Sequence, residues 1–198
     1  MAGYNLKKTV QALNFFATKE NGRINKLKAL KLIWLSDRYH LLSNGRMITN
    51  DTYFALPNGT VPSITRDILE QNEISLNEDE LTYSSCYLIV DSRDRYLYNS
   101  ISPVDEQVFS QSDINSLQLI YETYGKLTWN QLSDLSHTFP EWKRFESGLS
   151  KKIASRYEMN IEDFFLLPEN QPLFQNIEPL LDTSKEIYFT QRKIENIF

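Results

Sequence analysis

Two histidines and one cysteine are the residues of this chain whose types most readily do chemistry. His40 and His137 are far apart in sequence. Joined by Asp37 or Asp134 they would form a histidine–carboxylate metal site, but no HExxH or HxH spacing supports one. The expected role of each is a hydrogen-bonded structural histidine. His137, between a short helix and Pro140-Glu141-Trp142, has contact with a partner as its alternative. Cys86 lies in the apolar run Leu81–Val90, which suits a buried small hydrophobe better than a reactive thiolate. As the only cysteine, it excludes an intramolecular disulfide and a cysteine-rich zinc site, and fits a reducing compartment. No serine sits in G-x-S-x-G. Six glycines in the whole chain leave little room for a phosphate-cradling loop. These residues point to no catalytic site, no metal and no cofactor: the chain reads as a non-enzyme.

Charge and composition narrow the classes further. A net charge of −5 disfavours a protein that works by neutralising nucleic-acid phosphates, which is normally basic. Aromatic residues make up 13% of the chain, too many for a disordered one. A chain of 198 residues of this kind buries roughly 70% of its unfolded surface, so it can own a core without staples. The start, MAGYNLKKTV, has no apolar signal-peptide region, and no run approaches the length of a membrane span. The expected location is the cytoplasm, with no membrane partner.

The elements that must position these residues read as follows. Residues 4–19 form an amphipathic helix with Leu6, Val10, Leu13 and Ala17 on one face, ended by Gly22. Lys26–Leu42 form a second helix, stopped at Asn44-Gly45. A strand over Thr52–Leu56 meets the turn residues Pro57-Asn58-Gly59. Val61 is extended before Pro62, which starts a helix to about Gln71. Leu81–Val90 and Arg95–Tyr98 read as a hairpin. A short helix follows Ser102-Pro103, and a longer one runs from Ser112-Asp113 to Gly125. Thr128 and Gln131 make a capping box. Pro140 opens a helix carrying Trp142, and Asn160 caps a short one. The expected fold is α+β and mainly α-helical: a multi-helix domain with a small antiparallel β-sheet inserted after the third helix.

On a helical wheel the second helix has two apolar stripes, Leu27/Leu30/Trp34/Leu41 and Leu32/Leu35/Tyr39/Leu42, so it packs on at least two sides. Lys31 and Arg38 fall between the stripes; Asp37 and His40 share a third row with Ile33. Charges held there need partners, because an unpaired buried charge is costly. Asp37 and Arg38 therefore read as salt-bridged structural groups, or as the lining of a polar groove that receives a partner.

Two further segments suggest partners. Residues 125–133 resemble the first helix of a helix-turn-helix unit, and Lys143, Arg144, Lys151, Lys152 and Arg156 make the following segment basic. In the tail, Ile187, Gln191, Ile194 and Phe198 approach one face of a helix over 184–198. That face must be covered by the domain itself, a second copy or another protein.

The ordered pattern KLIWLSDRYHLLSNGRMITNDTYFALPNGTVPS resembles the start of the SocA-like antitoxin family, the Panacea domain. Later pieces match in the same order: Tyr124-Gly125, Gln131-Leu132-Ser133, Ser136-His137 with Pro140 and Trp142, then Ile161, Asp163 and Phe164. One departure is plain. The family usually has Tyr-Gly-Pro-Val-Pro where this chain has Asn58-Gly59-Thr60-Val61-Pro62. The resemblance implies a family domain over residues 1–168 and a C-terminal extension over 169–198. It implies an antitoxin that neutralises a cognate toxin by direct protein contact, or an adaptor that delivers the toxin to a protease. A DNA-binding regulator acting through residues 125–156 is the remaining alternative. Partner contact is expected at Arg38, Tyr39, Arg46, Tyr53, Asn58, His137 and Trp142.

Overall fold

A computed structural model describes residues 3–195. Their fold is α+β and mainly helical, and its centre is one enclosed helix. Helix α1 (Leu6–Lys19) leads through β1 (Arg23–Asn25) into that central helix, α2 (Lys26–Asn44). The hairpin of β2 (Tyr53–Leu56) and β3 (Gly59–Pro62) feeds α3 (Ser63–Glu70). Next come α4 (Glu78–Ser85), β4 (Leu88–Val90) and β5 (Leu97–Ser100). Helices α5 (Gln111–Tyr124), α6 (Trp129–Ser136), α7 (Pro140–Lys143) and α8 (Glu146–Ser150) precede β6 (Tyr157–Glu158). Helices α9 (Pro172–Gln175) and α10 (Leu181–Glu195) close the described chain.

Local chemistry sets the helix ends. The Asn25 carboxamide accepts from the Leu27 and Lys28 amides at 2.9 and 3.2 Å, satisfying first-turn donors that have no partner within α2. Gly45 ends α2 at φ +68°, a left-handed cap that glycine adopts without strain. Thr128 and Gln131 form the expected capping box, and Pro140 opens α7. Helix α2 is buried on most of its circumference: both stripes apart from the half-buried Leu27 and Tyr39, together with Lys31, Asp37, Arg38 and His40, are enclosed. Helices α1, α5, α6 and α10 and strand β3 pack against it.

The β-structure is richer than the single inserted sheet. Two three-stranded antiparallel sheets form, in the orders β1-β5-β4 and β3-β2-β6. The β2–β3 turn is two residues, Pro57-Asn58, between Leu56 and its partner Gly59. The hairpin over Leu81–Val90 needs correction. Residues 78–85 are helical, because Asn77 and Glu80 make a reciprocal capping box, and only Leu88–Val90 pair with β5. Cys86 consequently caps a helix and is exposed rather than buried.

The tail helix also differs. It starts at Leu181, and the face it buries carries Ser184 and Tyr188, the latter beside Phe165 with ring centroids 6.1 Å apart. Ile187 and Ile194 remain 42% and 51% exposed, and Phe198 lies outside the described residues. Helix α10 crosses α2 at Gly45, where an added Cβ would meet Ile187 at 2.7 Å and the Ser184 carbonyl at 2.9 Å. No helix of the described residues is long and apolar enough to cross a membrane.

Candidate protein-binding surface

The polar residues trapped along α2 build the surface from below. Asp37 is fully buried and accepts from the Ile48 and Thr49 amides at 2.8 and 2.9 Å, the Thr49 hydroxyl, and the Tyr53 hydroxyl at 2.6 Å. Burial pushes its carboxyl up, against the pull of these donors. It is thus bonded rather than salt-bridged, and it fixes the loop that follows α2. Asp51 does the same for α3. Pro62, at the N-cap, offers no side-chain bond. The Asp51 carboxylate instead takes the Ile64 and Thr65 amides at 2.9 and 2.7 Å and the Thr65 hydroxyl at 2.6 Å. Burial pushes Asp51 up to about 6. The aspartate and the Gly-x-Val-Pro step of the sequence pattern are therefore one device, a helix start capped from a distance.

Lys31 holds the hairpin between them. Its ammonium donates to the Asn58 and Thr60 carbonyls at 2.9 and 2.6 Å, and the Ser133 hydroxyl donates to the Asn58 carbonyl at 2.7 Å. Burial brings Lys31 down to about 7, since a low-dielectric setting disfavours the charged form. Gly59 closes the turn at φ +92°, and a Cβ there would collide with the Ser136 hydroxyl. Trp142 donates from its indole to the Leu56 carbonyl at 2.9 Å. His137 lies against Trp142, with ring centroids 4.0 Å apart. Burial, helped by the Lys31 charge, lowers the His137 pKa, while a hydrogen bond to the Pro57 carbonyl raises it.

The expected contact residues divide by exposure. Arg38 and Tyr53 are completely or almost completely enclosed, so they act on the scaffold. Arg38 donates to Glu141 at 2.9 Å and to the Leu166 carbonyl at 2.6 Å. Its guanidinium sits between the Phe139 and Phe174 rings at 4.9 and 4.8 Å. Trp142 is buried. Tyr39 and Arg46 are half-buried on other faces. Tyr39 packs edge-on to Phe174. Arg46 donates to Asp113 and Ser110 at 2.8 and 2.9 Å. Asn58 is exposed and His137 half-buried, and these two share the hairpin face.

The histidines belong to separate networks. His40 bonds to the Arg46 carbonyl at 2.8 Å and lies 3.2 Å from Asp113. Burial lowers it to about 4, so it is neutral at pH 7. Among the described residues, no group of three His, Cys, Asp or Glu side chains is arranged to hold a metal ion. Around residues 125–156, the helix after α6 is the single turn α7, too short for a base-reading helix. Arg144 is paired with Asp163 at 2.9 Å, and Arg156 lies over the Phe54 ring at 4.9 Å.

Sequence reasoning missed Trp129, the first residue of α6 and 37% exposed. With Pro57 and Asn58 it rims an apolar cavity of about 220 Å³, walled by Leu27, Leu30, Leu56 and Val61. An aromatic directly after a cap threonine was the available signal, because the first helical turn commonly stands clear of the core.

The hairpin, anchored from beneath by a buried lysine, stands beside an aromatic-rimmed apolar pocket, the concave and mostly apolar form that ligand sites take. The chain belongs to the SocA-like antitoxin family: the model of that family's Panacea domain matches residues 30–143. That span runs from α2 through α7 and contains the hairpin, Lys31, Asp51, Trp129 and His137. No curated protein and no solved structure matches the chain.

Proposed function

We propose that this chain is the antitoxin of a toxin–antitoxin pair and neutralises its cognate toxin by direct protein–protein contact. Membership of the SocA-like antitoxin family carries the reading. The chemistry of the interior is in keeping with it. Asp37, Asp51 and His40 bond to backbone groups, and Arg38 pairs with Glu141 and donates to the Leu166 carbonyl, so these bonds position the scaffold. The proposed contact face is the β2–β3 turn with the start of α6: Pro57, Asn58, Trp129 and the accessible edge of His137. An exposed tryptophan beside an apolar pocket is the usual form of an interface anchor.

The test is co-expression with the protein encoded next to this chain, first assayed alone for growth inhibition. Rescue of growth together with a complex that survives purification supports the proposal. Rescue accompanied by loss of toxin protein, dependent on a cellular protease, makes the chain a proteolytic adaptor. No rescue overturns both.

A further inference from the structure

Lys31 is 4% exposed, and a lysine this deep is almost never left without a paired carboxylate. This one has none. Its ammonium carries three N–H donors. Two go to the Asn58 and Thr60 carbonyls at 2.9 and 2.6 Å, and among the described residues the third has no partner. Burial alone shifts its pKa, with no carboxylate acting to hold the charge. The charged groups nearby are engaged elsewhere. On α2 and α3, Lys26 and Arg66 share Glu70 at 2.9 and 3.6 Å. On the α6 side stand the Ser133 and Ser136 hydroxyls and His137. Asp134 and Glu146 act on His137, whose pKa the Lys31 charge helps to lower.

The same lysine lines the apolar cavity at Trp129, together with Asn58 and Ser133. These three meet at one point, because the Asn58 carbonyl accepts from Lys31 at 2.9 Å and from Ser133 at 2.7 Å. The cavity thus has apolar walls, an indole at its rim and one cationic corner. At about 220 Å³ it is smaller than the ~300–1,000 Å³ of pockets for drug-sized ligands. That combination selects a small molecule with an apolar body and a single negative end. A wholly apolar ligand leaves the third N–H unmatched. A doubly charged one finds no second cation without breaking the Glu70 pairs. A carboxylate at hydrogen-bond distance favours the charged form that burial disfavours, so ligand and lysine neutralise one another.

We infer that this cavity binds a small monocarboxylate with an aryl or alkyl body. The body lies among Leu27, Leu30, Leu56 and Val61 beside Trp129, and the carboxylate accepts from the Lys31 ammonium. The inference stands on the cavity and is independent of the antitoxin reading.

The test screens a panel of monocarboxylates, from butanoate to decanoate and from benzoate to phenylbutanoate, against the full-length chain by ligand-detected NMR. The tightest acid and its amide are then titrated by calorimetry at pH 8, in buffers of different ionisation enthalpy, onto wild type, Trp129→Ala, His137→Gln and Lys31→Met. The acid should bind at least tenfold more tightly than the amide. Trp129→Ala should weaken it at least fivefold, and Lys31→Met should abolish the preference for the acid. Lys31 sits near 7 in the free chain, so binding at pH 8 should take up most of one proton, an uptake that His137→Gln leaves in place. Nuclear Overhauser contacts should join the ligand to the Leu56 and Val61 methyl groups. If Lys31→Met fails to fold, the acid–amide contrast, the proton uptake and the methyl contacts in wild type still decide. Any one of three results overturns the proposal: no acid binds, acid and amide bind alike, or the acid binds without proton uptake or away from Leu56 and Val61.

Discussion

Lys31 is buried with two carbonyls and no carboxylate within hydrogen-bond reach among its described partners. Its pKa falls from 10.5 to about 7, so between those values the unfolded chain holds a proton that the folded chain has released. Stability therefore rises with pH across that window, and this contribution is lost as pH falls back through 7. Each pH unit is worth at most about 1.4 kcal/mol, so the step from pH 7 to pH 10 has a ceiling of roughly 4 kcal/mol. Lys31→Met removes the titration. It also leaves the Thr60 carbonyl without its lysine donor, a loss of about 1–3 kcal/mol, whereas the Asn58 carbonyl keeps Ser133. Urea unfolding of wild type and Lys31→Met, followed by far-ultraviolet circular dichroism at pH 7, 8, 9 and 10, reads the difference. Tyrosine ionisation is common to both proteins and cancels. The stability gap between wild type and variant should widen steadily with pH. A gap that stays constant would show that Lys31 remains protonated in the fold and would refute the argument.

Glu141→Ala should lose about 3–5 kcal/mol in the same urea assay, because it leaves the enclosed Arg38 charge unpaired. The double variant Arg38→Met/Glu141→Leu should lose clearly less than the sum of its single changes, and additivity would contradict the pairing. Gly59→Ala should cost at least roughly 1–3 kcal/mol from its left-handed backbone alone, read as a lower melting temperature, and more from the collision with Ser136. His40 is held neutral, with its pKa lowered from 6.5 to about 4. Its contribution is present above pH 6.5 and disappears as pH falls through 4, by up to about 3 kcal/mol. The stability gap between wild type and His40→Gln should accordingly narrow on acidification, and a gap unchanged from pH 7 to pH 4 would count against it.

Much of the helical framework was legible because its signals are local. Gly45, Thr128 and Pro140 act within one turn of themselves, and each ends or starts a helix where the sequence says. The enclosure of α2 was legible in its two apolar stripes. What escaped depends on distance. Glu141 is separated from Arg38 by 103 positions, and no pattern along the chain announces that pair. Strands β1 and β6, of three and two residues, exist only because β5 and β2 offer them edges. Residues 81–85 misled for the opposite reason. The Tyr, Leu, Ile and Val of the 81–90 run suit a strand, but the Asn77–Glu80 box makes residues 81–85 helical, and Cys86 was misplaced with them. The contact residues split the same way: the helical wheel singled out Arg38, and Tyr53 stood among the expected contacts, but only packing decides whether a side chain faces inward.

The central claim is neutralisation by contact. The measurement that bears on it most directly is co-expression of this chain with the protein encoded beside it, as candidate toxin, with growth, the abundance of that protein and complex formation followed in the same cells. Restored growth, an undiminished amount of toxin and a complex that purifies intact are the predicted results. Restored growth with falling toxin levels and no stable complex, or no restoration at all, would contradict it.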